Sequence, residues 1–380
     1  MKNNFDVVVI GAGIMGLFTA YFLAERGAKV VVLDRSTVGN REAASTGLTR
    51  SFRQDYIDPD FAKMAFASRK LWEELEEVWG TKVFYRCGCL NLYKQSLTAD
   101  IENTYARKVI QTMNSLGFEY EDLKGDNFKK SFKCFSVDGG VLDLNGGILD
   151  VSVITTALLK FLKMKGAEIN ENIAINTIDE SSAGVHVDFS DKSIYASSAI
   201  ITVGKWTNEI LPKIKGSILK SVPIKAERPI QCRYLIPPAG RRDEFSVDNF
   251  PVFAYLDLGM YGHPILNERS PGLKIGFFNP EGGVVNVASN ISHFVEECMP
   301  ELALFESIDV LDVDQGFYQM VEDRNFILGA LPESRRIFLG CGWLGTGFKF
   351  APLVGQTLCA LVLKNTGDSL MNRFCPSRFL

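Results

Sequence analysis

Two glycine-rich stretches near opposite ends of this 380-residue chain carry residue types suited to holding an anion. The first is Gly11-Ala12-Gly13-Ile14-Met15-Gly16, spaced G-x-G-x-x-G. In that spacing the first glycine permits a tight turn, the second lets a pyrophosphate approach the backbone, and the third lets a helix pack closely on a strand. Asp34, 23 positions after Gly11, is a carboxylate placed to accept from ribose hydroxyls. The second stretch is GWLGTGFKF, Gly342 to Phe350, with three glycines, three aromatics and Lys349, directly before the apolar run APLVGQTLCALVL. A helix beginning near Pro352 offers its positive end there, and Gly345 and Gly347 let backbone N–H groups come close to a ligand. Three further cations stand apart from these loops: Arg50 and Arg53 in TRSFRQ, and Lys274 in GLKIG. Lys274 lies in sequence among Leu273, Ile275, Phe277 and Phe278, where an ammonium is costly unless nearby chemistry uses its charge.

The elements that position these residues follow from periodicity. FDVVVI reads as a fully buried parallel strand, GLFTAYFLAERG as a helix ending on a glycine, and AKVVVLD as a second buried strand, which together make one βαβ unit. The polar segment RSTVGNREAASTGLTRSFRQDYIDPD is too long for a plain connection and is expected to be functional or disordered. FAKMAFASRKLWEELEEVWG reads as an amphipathic helix with Asp60 as its N-cap. VSVITTALLKFLKMKG is another helix, followed by strands AEINENIAI, GVHVDF and SIYASSAIITVG and a helical WTNEIL. From about 220 to 320, PIQCRYLI, FPVFAYLD and GLKIGFF with Gly/Pro turns suggest an antiparallel sheet. The last fifty residues return to strand, glycine loop and helix. The organisation is therefore interleaved: a nucleotide domain over 1–45, 146–215 and 321–380, and a second, sheet-rich domain over 46–145 and 216–320.

Composition narrows the function class. A net charge of −4 and a pI near 5.6 argue against a nucleic-acid partner. No run reaches the roughly 18 apolar residues of a membrane helix, and the N-terminal run passes straight into the glycine motif, unlike a signal peptide. Eight cysteines without a C-x-x-C pair, and only three histidines, make a metal site improbable and suggest reduced thiols in a cytoplasm. The G-x-G-x-x-G hexamer alone does not choose NAD from FAD. Glycine-ended strands far downstream, in ITVGKW and FLGCGWLGTG, favour FAD, because a flavin needs walls from distant segments.

The arrangement resembles the monomeric sarcosine oxidase and N-methyltryptophan oxidase family, within the D-amino-acid oxidase-like flavoproteins. The resemblance spans nearly the whole chain and rests on VVVIGAGIMG, TRSFRQDY, VGKWTNEIL, YGHP followed by GLKIG, and GWLGTGFKFAPLVG. It implies an α/β plus α+β fold: an FAD-binding, Rossmann-like domain of the glutathione-reductase type, interleaved with an antiparallel-sheet substrate domain. It implies FAD held by Gly11, Gly13, Gly16, Asp34, Arg35, Ser45, Thr46, Thr49, Arg50, Ile173, Gly204, Trp206, Gly345, Thr346, Gly347, Phe348 and Lys349. Arg53 with Lys349 would bind a substrate carboxylate, since a guanidinium and an ammonium converging on one anion neutralise and orient it. Arg50 would lie against the flavin, Tyr261 would contact the substrate, and Lys274 would activate oxygen as a fixed cation. The implied reaction is oxidation of the C–N bond of a carboxylated secondary amine, with hydride passing to the flavin, hydrolysis of the imine, and reoxidation by O2 to H2O2. An FAD-dependent dehydrogenase using another electron acceptor is the alternative.

Two departures shape the expected substrate and cofactor linkage. Many relatives attach the flavin through a cysteine at the position occupied here by Gly316, and Cys341 lies in the late glycine loop, so FAD is expected to be non-covalent. Phe278 stands four residues after Lys274, where sarcosine oxidases carry a histidine; His263 in YGHP is a separate position, read as a turn residue. An aromatic there implies a more apolar pocket, and hence a bulkier N-alkyl or cyclic amino acid rather than sarcosine. The expected partners are a small amine and O2, and the expected state is a monomer.

Overall fold

The computed structural model describes residues 5–190, 192–229, 231–278, 287–309, 317–364 and 369–380. The chain divides into two compact units. One comprises Met1–Thr46, Thr155–Pro229 and Gly316–Leu380, the other Gly47–Ile154 and Ile230–Gln315.

The first unit is built on an eight-stranded sheet. Its main path runs Ile175–Ser181, Gly184–Phe189, Lys192–Ile201, Phe5–Ile10, Val30–Leu33 and Glu168–Asn170. Ile337–Cys341 also pairs in parallel with Lys192–Ile201, and Ile327–Ala330 pairs antiparallel with Ile337–Cys341. The central strands are parallel, and Val7, Val8, Val9, Val31 and Val32 are all at most 1% exposed. Burial on both faces is what a continuous Val/Ile run without alternation indicates. Helix Ile14–Glu25 is apolar nearly all round and buried from Ile14 to Ala24. Helix Ala351–Lys364 lies against it: a side chain at Gly355 would meet the Phe18 carbonyl carbon at 2.6 Å.

The second unit contains an eight-stranded sheet in the order Glu306–Asp309, Gln231–Ile236, Leu273–Phe277, Met260–His263, Val252–Tyr255, Cys89–Tyr93, Gly139–Asp143 and Tyr120–Lys124. Every neighbouring pair is antiparallel except Val252–Tyr255 with Cys89–Tyr93. The expected antiparallel sheet is therefore completed by three strands from residues 89–143. Leu90, Leu92, Phe253, Tyr255, Met260, Leu273, Ile275 and Phe277 belong to one apolar core cluster, which marks one face of this sheet. A small three-stranded sheet joins Thr49–Phe52, Gly147–Asp150 and Phe84–Tyr85.

Three local expectations are corrected. Helix Pro59–Trp79 is capped by Asp58, whose carboxylate accepts from the Asp60 N–H at 2.9 Å; Asp60 sits inside the first turn. The run AEINENIAI is not one strand, because Asn172 takes a left-handed φ of 60° and splits it. Its halves, Glu168–Asn170 and the start of Ile175–Ser181, lie at opposite ends of the main strand path. The long polar segment after Asp34 contains the strand Thr49–Phe52. No helix among the described residues is long and apolar enough to cross a membrane.

Candidate active site

In the first unit the early glycine loop is a cradle that side chains would fill. Gly11 has φ +105°, and a side chain there would meet the Thr202 carbonyl oxygen at 2.6 Å. A side chain at Gly16 would run into the Gly11 carbonyl oxygen, so the helix packs directly on the turn. Gly13 precedes helix Ile14–Glu25 and lies beside Ser45. The Ile14 N–H at the helix start donates to Ser45 Oγ at 3.0 Å. Asp34 is not an open strand-end carboxylate: Oδ2 accepts from Ala12 N–H at 2.6 Å, and Oδ1 accepts from Ser36 N–H at 2.8 Å. Asp34 thus shapes the glycine loop, while each oxygen keeps a second lone pair for a hydroxyl.

The other residues expected at the nucleotide extend from this point. Ile173 donates its N–H to the Asp34 carbonyl at 2.7 Å. The Arg35 guanidinium lies 4.9 Å from the centre of the Trp206 ring and pairs with Glu209 at 3.2 Å. Gly204, with φ +63°, opens the short turn that carries Trp206. Thr46 donates its hydroxyl to the Ala43 carbonyl at 2.8 Å.

The late glycine loop belongs to the same unit. Gly342, Leu344 and Gly345 all take left-handed backbone angles, so the loop folds tightly before the single turn Gly347–Phe350 and helix Ala351–Lys364. Gln319 braces it: Oε1 accepts from Gly342 N–H at 2.9 Å, and its backbone carbonyl accepts from Leu344 N–H at 2.8 Å. A side chain at Gly347 would lie 2.9 Å from Met15 Cε, so the two glycine loops touch although 332 positions separate these residues. Phe348 is buried. Lys349 is 4% exposed, and its ammonium curls back to donate to Thr346 Oγ1 at 2.5 Å and the Thr346 carbonyl at 3.3 Å. Cys341 ends strand Ile337–Cys341 instead of lying in the loop, and burial pushes its thiol up to about 12. Gly316 lies outside the described residues.

In the second unit, strand register brings several expected site residues onto the sheet face opposite its apolar cluster. His263 stands directly across from Lys274, and Tyr261 across from Gly276. Lys274 therefore does not point among Leu273, Ile275 and Phe277, which face the other way, yet it is only 2% exposed. His263 is a buried strand residue rather than a turn residue, and its Nδ1 lies 2.9 Å from Thr49 Oγ1. The Tyr261 and His263 rings are 5.5 Å apart. Tyr261 lies across Gly276, where an added side chain would meet its Cε1 at 2.7 Å. Phe278 follows the end of that strand, tied by its N–H to the Gly259 carbonyl at 2.7 Å. Arg50 lies on strand Thr49–Phe52 and donates to the Thr49 carbonyl at 2.9 Å.

Arg53 follows that strand into a buried polar cluster. Its Nη1 donates to the Asp55 carbonyl at 2.8 Å, to Asp55 Oδ1 at 3.0 Å and to the Tyr105 hydroxyl at 2.8 Å. Tyr56 stacks on the guanidinium, with its ring centre 4.2 Å away. Burial opposes the charge, but the groups packed around it, the Asp55 carboxylate among them, hold Arg53 well above its ordinary value, so it is cationic at any working pH. Asp55 also accepts from Asn91 Nδ2. Sequence reasoning passed over Asp55, Asn91, Tyr105, Gln319 and Gly276. Asp55, an acid two residues from Arg53, and Gly276, two residues from Lys274 on the same strand, had local signals; Asn91, Tyr105 and Gln319 come from other strands and helices.

These features fit an adenine dinucleotide on the first unit: a glycine cradle, a helix N-terminus, a carboxylate beside it, and a second glycine loop against the first. Comparison with known proteins agrees. The chain is 27% identical over 410 residues to human peroxisomal sarcosine oxidase, covering 100% of this chain and 97% of that protein. It is 23% identical over 395 residues to N-methyl-L-tryptophan oxidase of Yersinia pestis (strain Pestoides F), covering 99% and 100%. L-Proline dehydrogenase from P. horikoshii has the same fold, with a TM-score of 0.81 at 21% identity over 100% of this chain and 98% of that one. NikD, an amino acid oxidase of nikkomycin biosynthesis, matches with a TM-score of 0.75 at 21% identity over 99% and 98%. Residues 6–361 match the DAO family of FAD dependent oxidoreductases, and the chain belongs to that family, whose members such as sarcosine oxidase act on CH–NH bonds.

Proposed function

We propose that the protein is an oxidase of a carboxylated secondary or cyclic amine, with non-covalent FAD and O2 as the electron acceptor. The observation that carries this reading is the second unit's sheet face, on which buried Lys274 stands across from His263 and half-buried Tyr261 across from Gly276. FAD, when bound, supplies the hydride acceptor. Arg53 takes the substrate carboxylate: its three recorded hydrogen bonds all use Nη1, and among the described residues Nε and Nη2 have no hydrogen-bond partner. Lys349 is assigned to the same carboxylate, and Arg50 to the flavin, by the family resemblance. Tyr261, set in place by the missing side chain of Gly276, contacts the amine, and Lys274 is the fixed cation for oxygen reduction. Phe278 supplies an apolar wall, which suits a ring such as proline or pipecolate better than sarcosine. None of the eight cysteines forms a disulfide among the described residues, which suits a reducing compartment such as the cytoplasm. Two relatives with full-length matches are named as oxidases, which supports O2 as the acceptor.

The test is anaerobic titration of the purified flavoprotein with L-proline, L-pipecolate, sarcosine and N-methyl-L-tryptophan. Bleaching of the flavin, followed by stoichiometric peroxide on admitting air, supports the proposal. Bleaching followed by slow reoxidation without peroxide makes the enzyme a dehydrogenase. No bleaching by any of the four rejects the substrate class.

A further inference from the structure

Behind Arg53 lie two buried carboxyl groups to which the proposed reaction gives no role. Asp55 and Asp143 are both fully buried. Asp143 ends strand Gly139–Asp143, opposite Cys89 on the neighbouring strand, and Asn91 lies two residues further along the same face as Cys89. Asp143 Oδ2 accepts from Gln54 N–H at 2.8 Å, and Oδ1 accepts from Asn145 N–H at 3.0 Å. The chain thus runs from Arg53 through Gln54 to Asp55 with a second carboxyl bound to its middle residue. Two further acceptors, Gln54 Oε1 and Asn91 Oδ1, are buried without a hydrogen-bond partner among the described residues.

The cluster sets two buried carboxyl groups against one guanidinium. Two ionised carboxylates, two amide oxygens and one guanidinium would leave a buried net negative charge beside unsatisfied oxygens, which is costly. One retained proton removes the excess charge. The titratable groups facing the pair are Arg53 and Tyr56 on the same segment, Cys89 on the adjacent strand, and Tyr105 at the start of helix Tyr105–Leu116. Burial raises Tyr105 and Cys89 well above their ordinary values. The charge of the cluster is therefore set by Arg53, Asp55 and Asp143.

We infer that Asp55 and Asp143 are positioning residues for Arg53, and that one proton held on Asp143 sets how strongly Arg53 holds a carboxylate ligand. With the proton in place, Arg53 and Asp55 balance and the guanidinium edge carrying Nε and Nη2 attracts an anion. When Asp143 releases its proton to solvent, the cluster gains a negative charge and repels the anion. Burial, with the Asp55 charge beside it, pushes Asp143 up to about 7, which puts this release in the neutral range. At an effective dielectric constant of about 20, one charge added about 12 Å from a bound anion weakens its binding about tenfold. The inference rests on the assignment of Arg53 to a carboxylate and adds its regulation.

The test uses the holoenzyme with benzoate as probe, followed by flavin absorbance from pH 6 to pH 8.5, together with infrared spectra of the protonated carboxyl C=O stretch. Wild type should show a protonated-carboxyl band that disappears near pH 7, is absent in Asp143→Asn, and disappears at lower pH in Asp55→Asn. Benzoate affinity should fall about tenfold across the same range in wild type and change less than twofold in Asp143→Asn. Absence of the band, or equal pH dependence of affinity in wild type and Asp143→Asn, overturns the inference while leaving Arg53 as the anion site. Failure of benzoate to bind wild type at any pH overturns the Arg53 assignment and the inference together.

Discussion

The same carboxyl pair makes a prediction about folding that needs no ligand. Asp143 ordinarily titrates at 3.8 and in the folded protein is pushed up to about 7. The folded state therefore binds this proton more tightly than the unfolded chain. Stability from this group is fully present below the unfolded value and is lost as pH rises toward the folded value. A difference of about three pKa units corresponds to roughly 4 kcal/mol over the full range, and about 2–3 kcal/mol of it falls between pH 5 and pH 8. Urea unfolding of the FAD-saturated protein at half-unit pH steps should show the wild-type midpoint declining through that window. Asp143→Asn should be less stable at pH 5 by about 1–3 kcal/mol, because one side of the amide carries N–H donors where both carboxyl oxygens now accept from backbone N–H groups. Its slope between pH 5 and pH 8 should be shallower than that of wild type by the 2–3 kcal/mol above. Parallel curves for the two proteins would refute the reasoning, whatever their absolute levels.

Other substitutions probe the remaining assignments. Lys274→Met should leave anaerobic flavin reduction within a few-fold of wild type and slow reoxidation by about 100-fold or more in stopped-flow traces; equal slowing of both half-reactions would remove its role with oxygen. Gly276→Ala should displace the Tyr261 ring and raise KM for the amine with stability lowered by about 1–3 kcal/mol; an unchanged KM would mean Tyr261 does not touch the substrate. Arg53→Lys keeps a charge but loses the planar group that holds Asp55 and Tyr105 through Nη1 and leaves Nε and Nη2 for a carboxylate, and should weaken carboxylate binding by about tenfold or more, measured as KM with kcat less affected. Acid precipitation should release yellow FAD into the supernatant; colour retained in the pellet would show a covalent link.

The parts of this protein legible in its sequence are those encoded by neighbours along the chain. The βαβ start, the G-x-G-x-x-G turn and the strand, loop and helix at the end all follow from local pattern, since a fully buried strand and a left-handed glycine leave marks within a few residues. The sequence also singled out Arg53, Lys274 and Tyr261 by type and motif. Their surroundings were decided by tertiary structure. Strand register turns Lys274 away from its apolar neighbours and sets it opposite His263, eleven positions earlier in the chain. Met15 meets Gly347 only because two helices from opposite ends of the chain pack together. The partners of Arg53 come from its own segment and from a helix at Tyr105, and Asp55 in turn takes a partner from a strand at Asn91. Charge and hydrogen-bond balance in a buried cluster is a sum over groups distant in sequence, so the proton on Asp143 has no signature in the chain until the fold brings Asp55 beside it.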